Sequence, residues 1–439
     1  MTKGLDSGEL RIGVAGLGTV GVGVLRLLTD KQVEISARTG GALRVTAVSA
    51  RDASRDRGVD LSALAFEADA AALAVRDDVD VLVEVIGGTS GAGANAVMAA
   101  LRAGKAVVTA NKALVAERGA ELAALVAEHG GALYFEAAVA GGIPAIKGLR
   151  EGLAANRVQS VAGILNGTCN FILTKMRAER RAFDDVLAEA QALGYAEADP
   201  SFDIDGVDAA HKLAILSAVA FGGVPDFAAI DLRGIREVQL EDIEMAAEFG
   251  FSLKLLGVAK PRVGGPGVRQ YVAPVMVPRG NPIASVEDSF NAVVVQADPV
   301  DEIMMRGRGA GEGPTASAVV ADIIDFARGI NPPLFGHFTP VGAAVEISGS
   351  ASGAGAAEER RFWRLLVDDR PGVIAEVSQV LSEQGLSVEK ILQTDADGSR
   401  AHIFILTHAA PRSVADKVAG ALAGLSCMVE QPAVYGVED

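Results

Sequence analysis

The sequence predicts an α/β chain, with a Rossmann-type doubly wound parallel sheet, an α+β second domain, and a C-terminal ferredoxin-like domain. Three observations predict it. Strand-like and helix-like segments alternate over roughly the first 130 residues, which implies a parallel sheet with helices on both faces. After about residue 145 the rhythm changes to longer helical stretches followed by strand-rich ones. Beyond residue 361 the order strand, helix, strand, hairpin, strand, helix, strand fits into fewer than 80 residues, as in a ferredoxin-like sheet with both helices on one face.

The elements follow in order. RIGVAGLG reads as a buried strand entering a glycine turn, and VGVGVLRLLTD as the helix behind it. ALRVTAVSAR is a second strand. DVDVLVEVIGG is a third, with Val79, Val81, Val83 and Val85 on alternate positions. GANAVMAALRAG is a helix ending at Gly104, and KAVVTAN is a fourth strand. AELAALVAEHG carries Leu122, Leu125, Val126 and His129 at helical spacing and stops at Gly130, before a fifth strand in GALYFEAAV. In the second region FDDVLAEAQALG, DAAHKLAILSAVAFG and EDIEMAAEFGFSLKLLG read as helices, with strands through VVVQADP. GEGPTASAVVADIIDFARG is a helix expected to pack back on the first domain. The Ser/Gly/Ala-rich stretch 348–361 reads as a flexible linker. The expected spans are 1–145 for the parallel-sheet domain, 146–310 for the α+β domain, 311–347 for the helical return, 348–361 for the linker and 362–439 for the last domain.

Composition excludes several classes. Of 439 residues, 40 are basic and 56 acidic, a net charge of −16, so no basic face for nucleic acid is expected. Two cysteines, Cys169 and Cys427, are too few for a disulfide framework. The N-terminus lacks the charged-then-apolar pattern of a signal peptide, and no apolar run reaches the roughly 18–20 residues of a membrane span. The expected compartment is the cytoplasm, with no membrane partner.

Gly16-Leu17-Gly18-Thr19-Val20-Gly21 fits G-x-G-x-x-G between a strand and a helix. Gly16 permits the tight turn, Gly18 lets the backbone approach a pyrophosphate, and Gly21 lets helix and strand pack closely. The helix N-terminus then offers free N–H groups to the phosphates. The second strand ends Val48-Ser49-Ala50-Arg51; Arg51 stands where a 2′-phosphate would be met, so NADP(H) is the expected preference, while Asp52 leaves NAD(H) open.

The most informative segment runs from Gly194 to Lys212. Ser201, Asp203, Asp205 and Gly206 mimic positions 1, 3, 5 and 6 of a calcium loop, but position 12, which needs a bidentate Glu, is Lys212. Beyond Gly206 the pattern is helical and apolar nearly all round, so Asp208 and Lys212, four residues apart, share a face of a buried helix. Charges there need partners or purpose; the alternative is a surface ion pair worth a few tenths of a kcal/mol. Lys112, after the fourth strand, sits at the carboxyl edge of the sheet, where ligands bind. A lone lysine there is more often structural or solvated, but two lysines converging on one site would suit proton transfer.

Three segments, AQALGYAEADPSFDIDGVDAAHK (190–212), NGTCNFIL (166–173) and VTANKALVA (108–116), together with the GLGTVG loop, resemble the homoserine dehydrogenase family over roughly residues 10–340. The tail resembles an ACT domain, an amino-acid-sensing module. The resemblance implies interconversion of homoserine and aspartate semialdehyde, in threonine and methionine biosynthesis. It implies Lys212 as general acid/base, Lys112 as the second lysine near nicotinamide and substrate, and Glu197 and Asp208 as carboxylates of the homoserine site. It further implies Gly88, Gly194 and Gly311 beside the cofactor, and a structural sodium ion at Glu136, Val139, Gly141 and Ile143. Threonine regulation through the loop Asp368-Asp369-Arg370-Pro371-Gly372, and a homodimer or homotetramer, follow from the same likeness. Two other readings stay open at this point. A semialdehyde dehydrogenase of the thioester type would use Cys169 as nucleophile, although a small buried cysteine more commonly just packs. A non-catalytic amino-acid sensor would keep the fold alone.

Overall fold

The structure, a computed structural model, describes residues 8–262, 266–335 and 358–438. It begins with β1 (Glu9–Ala15), α1 (Thr19–Asp30), α2 (Gln32–Thr39), β2 (Ala42–Ser49), β3 (Ala65–Glu67), α3 (Ala70–Val75) and β4 (Val81–Glu84). α4 (Gly91–Arg102), β5 (Ala106–Thr109), α5 (Lys112–His129) and β6 (Ala132–Tyr134) follow. The six strands are parallel in the order β3-β2-β1-β4-β5-β6. β4, β5 and β6 are buried throughout, because helices cover both faces, and so they read as unbroken apolar runs. The order reverses between β1 and β4, and ligands of such sheets bind in the crevice beyond that point.

Three details differ from the sequence reading. The sheet has six strands, not five: β3 is three residues of half-buried edge with no period to detect, and the short α3 follows it. α5 begins at Lys112, capped by the Asn111 side chain, which accepts from Leu114 N at 3.1 Å. β6 stops at Tyr134, and Glu136–Ala138 is a 3₁₀ turn.

The second unit contains α6 (Ala145–Lys147), β7 (Arg157–Ile164), α7 (Gly167–Glu179), α8 (Phe183–Ala192), α9 (Ser201–Ile204) and α10 (Val207–Phe221). It continues with β8 (Asp231–Leu232), α11 (Leu240–Glu248), β9 (Phe251–Pro261), β10 (Val268–Pro278), β11 (Phe290–Asp298) and β12 (Asp301–Arg308). An antiparallel sheet runs β12-β11-β7-β9-β10. α10 is buried from Asp208 to Phe221, packed between that sheet and α5, which explains its all-round apolar sequence. The segment EDIEMAAEFGFSLKLLG is not one helix. Gly250, at φ +89°, turns the chain after α11, and Phe251 onward is β9; both faces of that strand are covered, so it shows no alternation. α12 (Glu312–Ala327) then returns to lie on α1 so closely that a Cβ on Gly23 would come within 2.6 Å of Glu312.

The last unit is β13 (Glu358–Asp368), α13 (Val373–Glu383), β14 (Val388–Asp395), β15 (Arg400–Pro411), α14 (Arg412–Ala423) and β16 (Ala433–Val437), with strand order β16-β13-β15-β14. Residues 358–361, read as linker, are strand; 336–357 lie outside the described residues. Alternation along β13 settles how this unit docks. Trp363, Leu365 and Val367 face its own helices, whereas Phe362 and Arg364 face the second unit. β16 pairs with β10 in parallel, Val275 against Gly436, so the two sheets are continuous. No described helix is long and apolar enough to cross a membrane.

At that seam Asp242 is fully buried. It accepts from Arg364 Nε and Tyr435 OH, each at 2.8 Å, and from the Gln239 amide at 2.9 Å. Burial pushes the Asp242 carboxyl up, and the Arg364 charge and these hydrogen bonds oppose it. Removing one partner of a buried pair costs about 3–5 kcal/mol because the other charge is stranded. Arg364→Ala is therefore expected to lower unfolding free energy by about that amount in denaturant titration. A loss under about 1 kcal/mol would place the docking energy elsewhere.

Candidate active site

The glycine loop has the geometry its sequence implies. Gly16, at φ +103°, closes the turn after β1, its amide donating to Ser49 O at 2.9 Å. Gly21 permits helix and strand to touch: a Cβ there would lie 1.9 Å from Gly16 O. Around Gly18 no atom of the described residues comes within 4 Å of where a Cβ would stand, so the backbone is free to meet a phosphate. Leu17 is buried and its carbonyl accepts from Arg57 Nε at 3.2 Å; Thr19 opens α1, and Val20 reaches the cleft wall.

That cleft, about 680 Å³, lies between the carboxyl edge of the parallel sheet and the second unit. Lys112 and Lys212 both line it, and one carboxylate joins them. Asp208 Oδ2 accepts from Lys212 Nζ at 2.7 Å, and Oδ1 lies 3.2 Å from Lys112 Nζ. Lys212 also donates to Leu165 O at 2.7 Å. Asn166 caps α7 through its oxygen and, through its amide nitrogen, bridges Asp208 (2.8 Å) and Asp203 (2.7 Å). Burial would push the Asp208 carboxyl up. The charges of Lys212 and Lys112 and the hydrogen bonds from Lys212 and Asn166 outweigh it and hold it far below the usual carboxylate range. For Asp203 the balance falls the other way: burial and the Asp208 charge raise it despite the Asn166 bond.

Two further contacts fix the lysines. His211 Nε2 lies 2.9 Å from Glu117 Oε1, tying α10 to α5, and the Phe202 ring packs against both His211 and the Lys112 ammonium. Behind the cleft, buried Glu84 accepts from the Ile86 and Gly87 amides (2.8 Å each) and from Thr109 Oγ1 (2.6 Å); Asn111 Nδ2 donates to Gly88 O at 2.8 Å. Sequence reasoning passed over Glu84, Asn166 and Asp203 as site residues, although Asp203 stood in view as a would-be calcium ligand. A buried Glu at a strand end was the available signal for Glu84.

Other candidates fall as follows. Gly194 (φ +76°) and Gly311 (φ +118°) line the cleft, while Gly88 (φ +89°) stands beside its Gly87 wall. Arg51 is exposed past the end of β2. Glu197 is exposed on the loop between α8 and α9, outside the cleft lining, with its carbonyl accepting from Gln191 Nε2 at 3.0 Å. Cys169 is fully buried, its Sγ donating to Asp203 O at 3.2 Å, and burial pushes its thiol well up; such a thiol is no nucleophile. Glu136 is buried, with Oε1 and Oε2 accepting from the Ile146 and Lys147 amides at 3.0 and 2.8 Å. Val139, Gly141 and Ile143 follow on a tight turn that includes Ala140 at φ +54° and Gly141 at φ +50°.

A glycine loop at the switch point of a doubly wound sheet, opening on a cleft with two lysines on one buried carboxylate, defines a dinucleotide-dependent oxidoreductase. Comparison with known proteins narrows this. Family models match at residues 16–136 (homoserine dehydrogenase, NAD binding domain), 144–324 (homoserine dehydrogenase) and 364–427 (ACT domain). The homoserine dehydrogenase of Neisseria gonorrhoeae is 45% identical, covering 96% of this chain and 97% of its own. That of Corynebacterium glutamicum is 42% identical, covering 92% and 89%. Among solved structures, a homoserine dehydrogenase from Thiobacillus denitrificans superposes with a TM-score of 0.87 at 40% identity, covering 98% of each chain. A hyperthermophilic archaeal homoserine dehydrogenase in complex with NADPH gives a TM-score of 0.62 at 27% identity, covering 74% of this chain and 99% of that one. The chain belongs to the homoserine dehydrogenase family, and its C-terminal unit is an ACT domain.

The glycines give a discriminating pair of variants. Gly21→Ala is expected to lower the Tm, because its Cβ has no room. Gly18→Ala is expected to keep the Tm and weaken dinucleotide binding in fluorescence titration. Equal binding by Gly18→Ala and wild type would separate the loop from the phosphates.

Proposed function

We propose that the chain interconverts L-homoserine and L-aspartate 4-semialdehyde with NADP(H) preferred over NAD(H), and that threonine regulates it through the ACT domain. The observation that carries the reading is Asp208 bridging Lys112 and Lys212 in the dinucleotide cleft. A dinucleotide held by its pyrophosphate on the Gly16–Gly21 loop would supply the hydride to the carbonyl carbon and take it back in reverse. Lys212 has two N–H bonds spent on Leu165 O and Asp208. Its third is free to give a proton to the aldehyde oxygen on reduction and, once given, to take it back on oxidation. Lys112, about a third exposed, orients the substrate on the nicotinamide side. Asp208 and Asp203 offer negative charge to the substrate ammonium, and Glu197, exposed on the loop between α8 and α9, is assigned to the same role.

Arg51, exposed just past the end of β2 where a 2′-phosphate would be met, supports NADP(H), as does the NADPH complex of the archaeal homoserine dehydrogenase. Threonine is assigned to the ACT cavity at Asp369–Gly372, opposite Gln393. We assign a sodium ion to Glu136 and the carbonyls of Val139, Gly141 and Ile143, a chain that works as a homodimer or homotetramer, and a place in threonine and methionine biosynthesis in the cytoplasm. The sodium assignment fits one feature. Burial and the Asp322 charge raise the Glu136 carboxyl to about 7, so a cation there relieves a deficit of positive charge.

Lys212→Met is expected to lower kcat for homoserine oxidation by roughly 10²-fold or more with KM for homoserine largely kept; near-normal turnover would refute its role. Wild type is expected to turn over faster with NADP than NAD, and Arg51→Ala to lose that preference. Threonine inhibition, measured on the full chain, is expected to weaken in Gln393→Ala. Glu136, whose carboxyl is raised on folding, adds stability below about pH 4.5 that is lost as pH rises through about 7. Sodium, against tetramethylammonium at equal ionic strength, is expected to flatten that decline, and Glu136→Gln to abolish the difference.

A further inference from the structure

A second cavity, about 200 Å³, lies at the seam where the ACT domain joins the catalytic sheet, away from both the active-site cleft and the ACT loop at Asp369–Gly372. Its walls come from both sides: β10 and the end of β8 from the catalytic unit, and β13, α14 and β16 from the ACT domain. Small residues open it, Ala273 on β10, Ala415 and Ala419 on α14 and Gly436 on β16. The volume suits one molecule of a few heavy atoms better than a packed side chain.

Its chemistry is cationic. Arg233, Arg269, Arg361 and Arg412 line it against three carboxylates, Asp231, Glu359 and Asp416. The pairing leaves Arg361 short of acceptors. Glu359 is shared, its carboxylate taken by Arg269 on one side and lying 2.7 Å from Arg361 Nη2 on the other. Arg412 pairs with Asp231 at 2.5 Å, and Arg233 donates to the Val434 carbonyl at 2.5 Å. Arg361 Nε is buried with no hydrogen-bond partner among the described residues, an arrangement a guanidinium tolerates poorly. Its Nη1 lies over Gly436, 3.6 Å from where a Cβ would stand. Burial pulls the Arg361 guanidinium below its usual range, and the Arg269 and Arg412 charges add to that while Glu359 opposes it.

We propose that this seam cavity binds a small oxyanion, a carboxylate or a phosphate, on the guanidinium cluster around Arg361. Arginine forks match both anions in bidentate geometry. Because the walls belong to two units, such an anion holds the ACT domain against β10 and stabilises the docked arrangement by mass action. Its occupancy then biases the same seam across which any signal from the ACT domain must pass.

The test is calorimetric titration of the full chain with malonate and, separately, inorganic phosphate, at ionic strength fixed with sodium chloride. One saturable site per chain is expected for at least one of them, and the anion that binds tells carboxylate from phosphate recognition. Arg361→Gln is expected to weaken that binding roughly tenfold or more. Ala419→Leu, which keeps every charge and fills the space, is expected to abolish it, with homoserine oxidation near wild type in both variants as the check of folding. No saturable binding of either anion, or binding of equal affinity in Ala419→Leu, would overturn the proposal.

Discussion

One buried carboxylate organises the catalytic half of this molecule. Asp208 accepts from a lysine one helical turn along its own helix and attracts a second from the helix that follows β5 of the parallel sheet. A carboxylate so deep would normally be raised and neutralised; here two ammonium groups and the Asn166 amide keep it charged. The bond from His211 to Glu117 acts with it, because it locks α10 against α5 and so sets the distance between the lysines. The dinucleotide sheet and the substrate unit therefore meet through charges that are costly to separate, and the cleft between them is preorganised.

Legibility from sequence followed the physics of each feature. The glycine loop was readable because each glycine answers a steric demand: a positive φ at Gly16, an approach at Gly18, a contact at Gly21. Lys212 and Asp208 were readable because charge at i,i+4 on a helix apolar nearly all round points to burial more than to a surface ion pair. Asp203 and Asn166 were not, since their importance lies in a bridge between α7, the α9 turn and α10, and long-range contacts leave no periodic trace. The strand β9 was misread as helix because burial on both faces removes alternation, leaving only Gly250 to mark the break.

The ACT domain shows a different kind of legibility. Its strand and helix order was plain, but its attachment depends on which face of β13 looks outward. Phe362 and Arg364 could be assigned to that face only once β16 was seen to extend the catalytic sheet through β10. Continuity of the sheet connects the ACT domain directly to β10, which packs against α10. A change at the seam thus has a short physical route to Asp208 and Lys212.

The most direct measurement of the central claim is the steady-state rate of homoserine oxidation by Asp208→Asn across pH, alongside its melting curve. The account predicts a folded protein whose kcat/KM falls by roughly 10²-fold or more at every pH, because an amide cannot balance two ammonium groups. A variant with wild-type kcat/KM and an unchanged pH profile would contradict it.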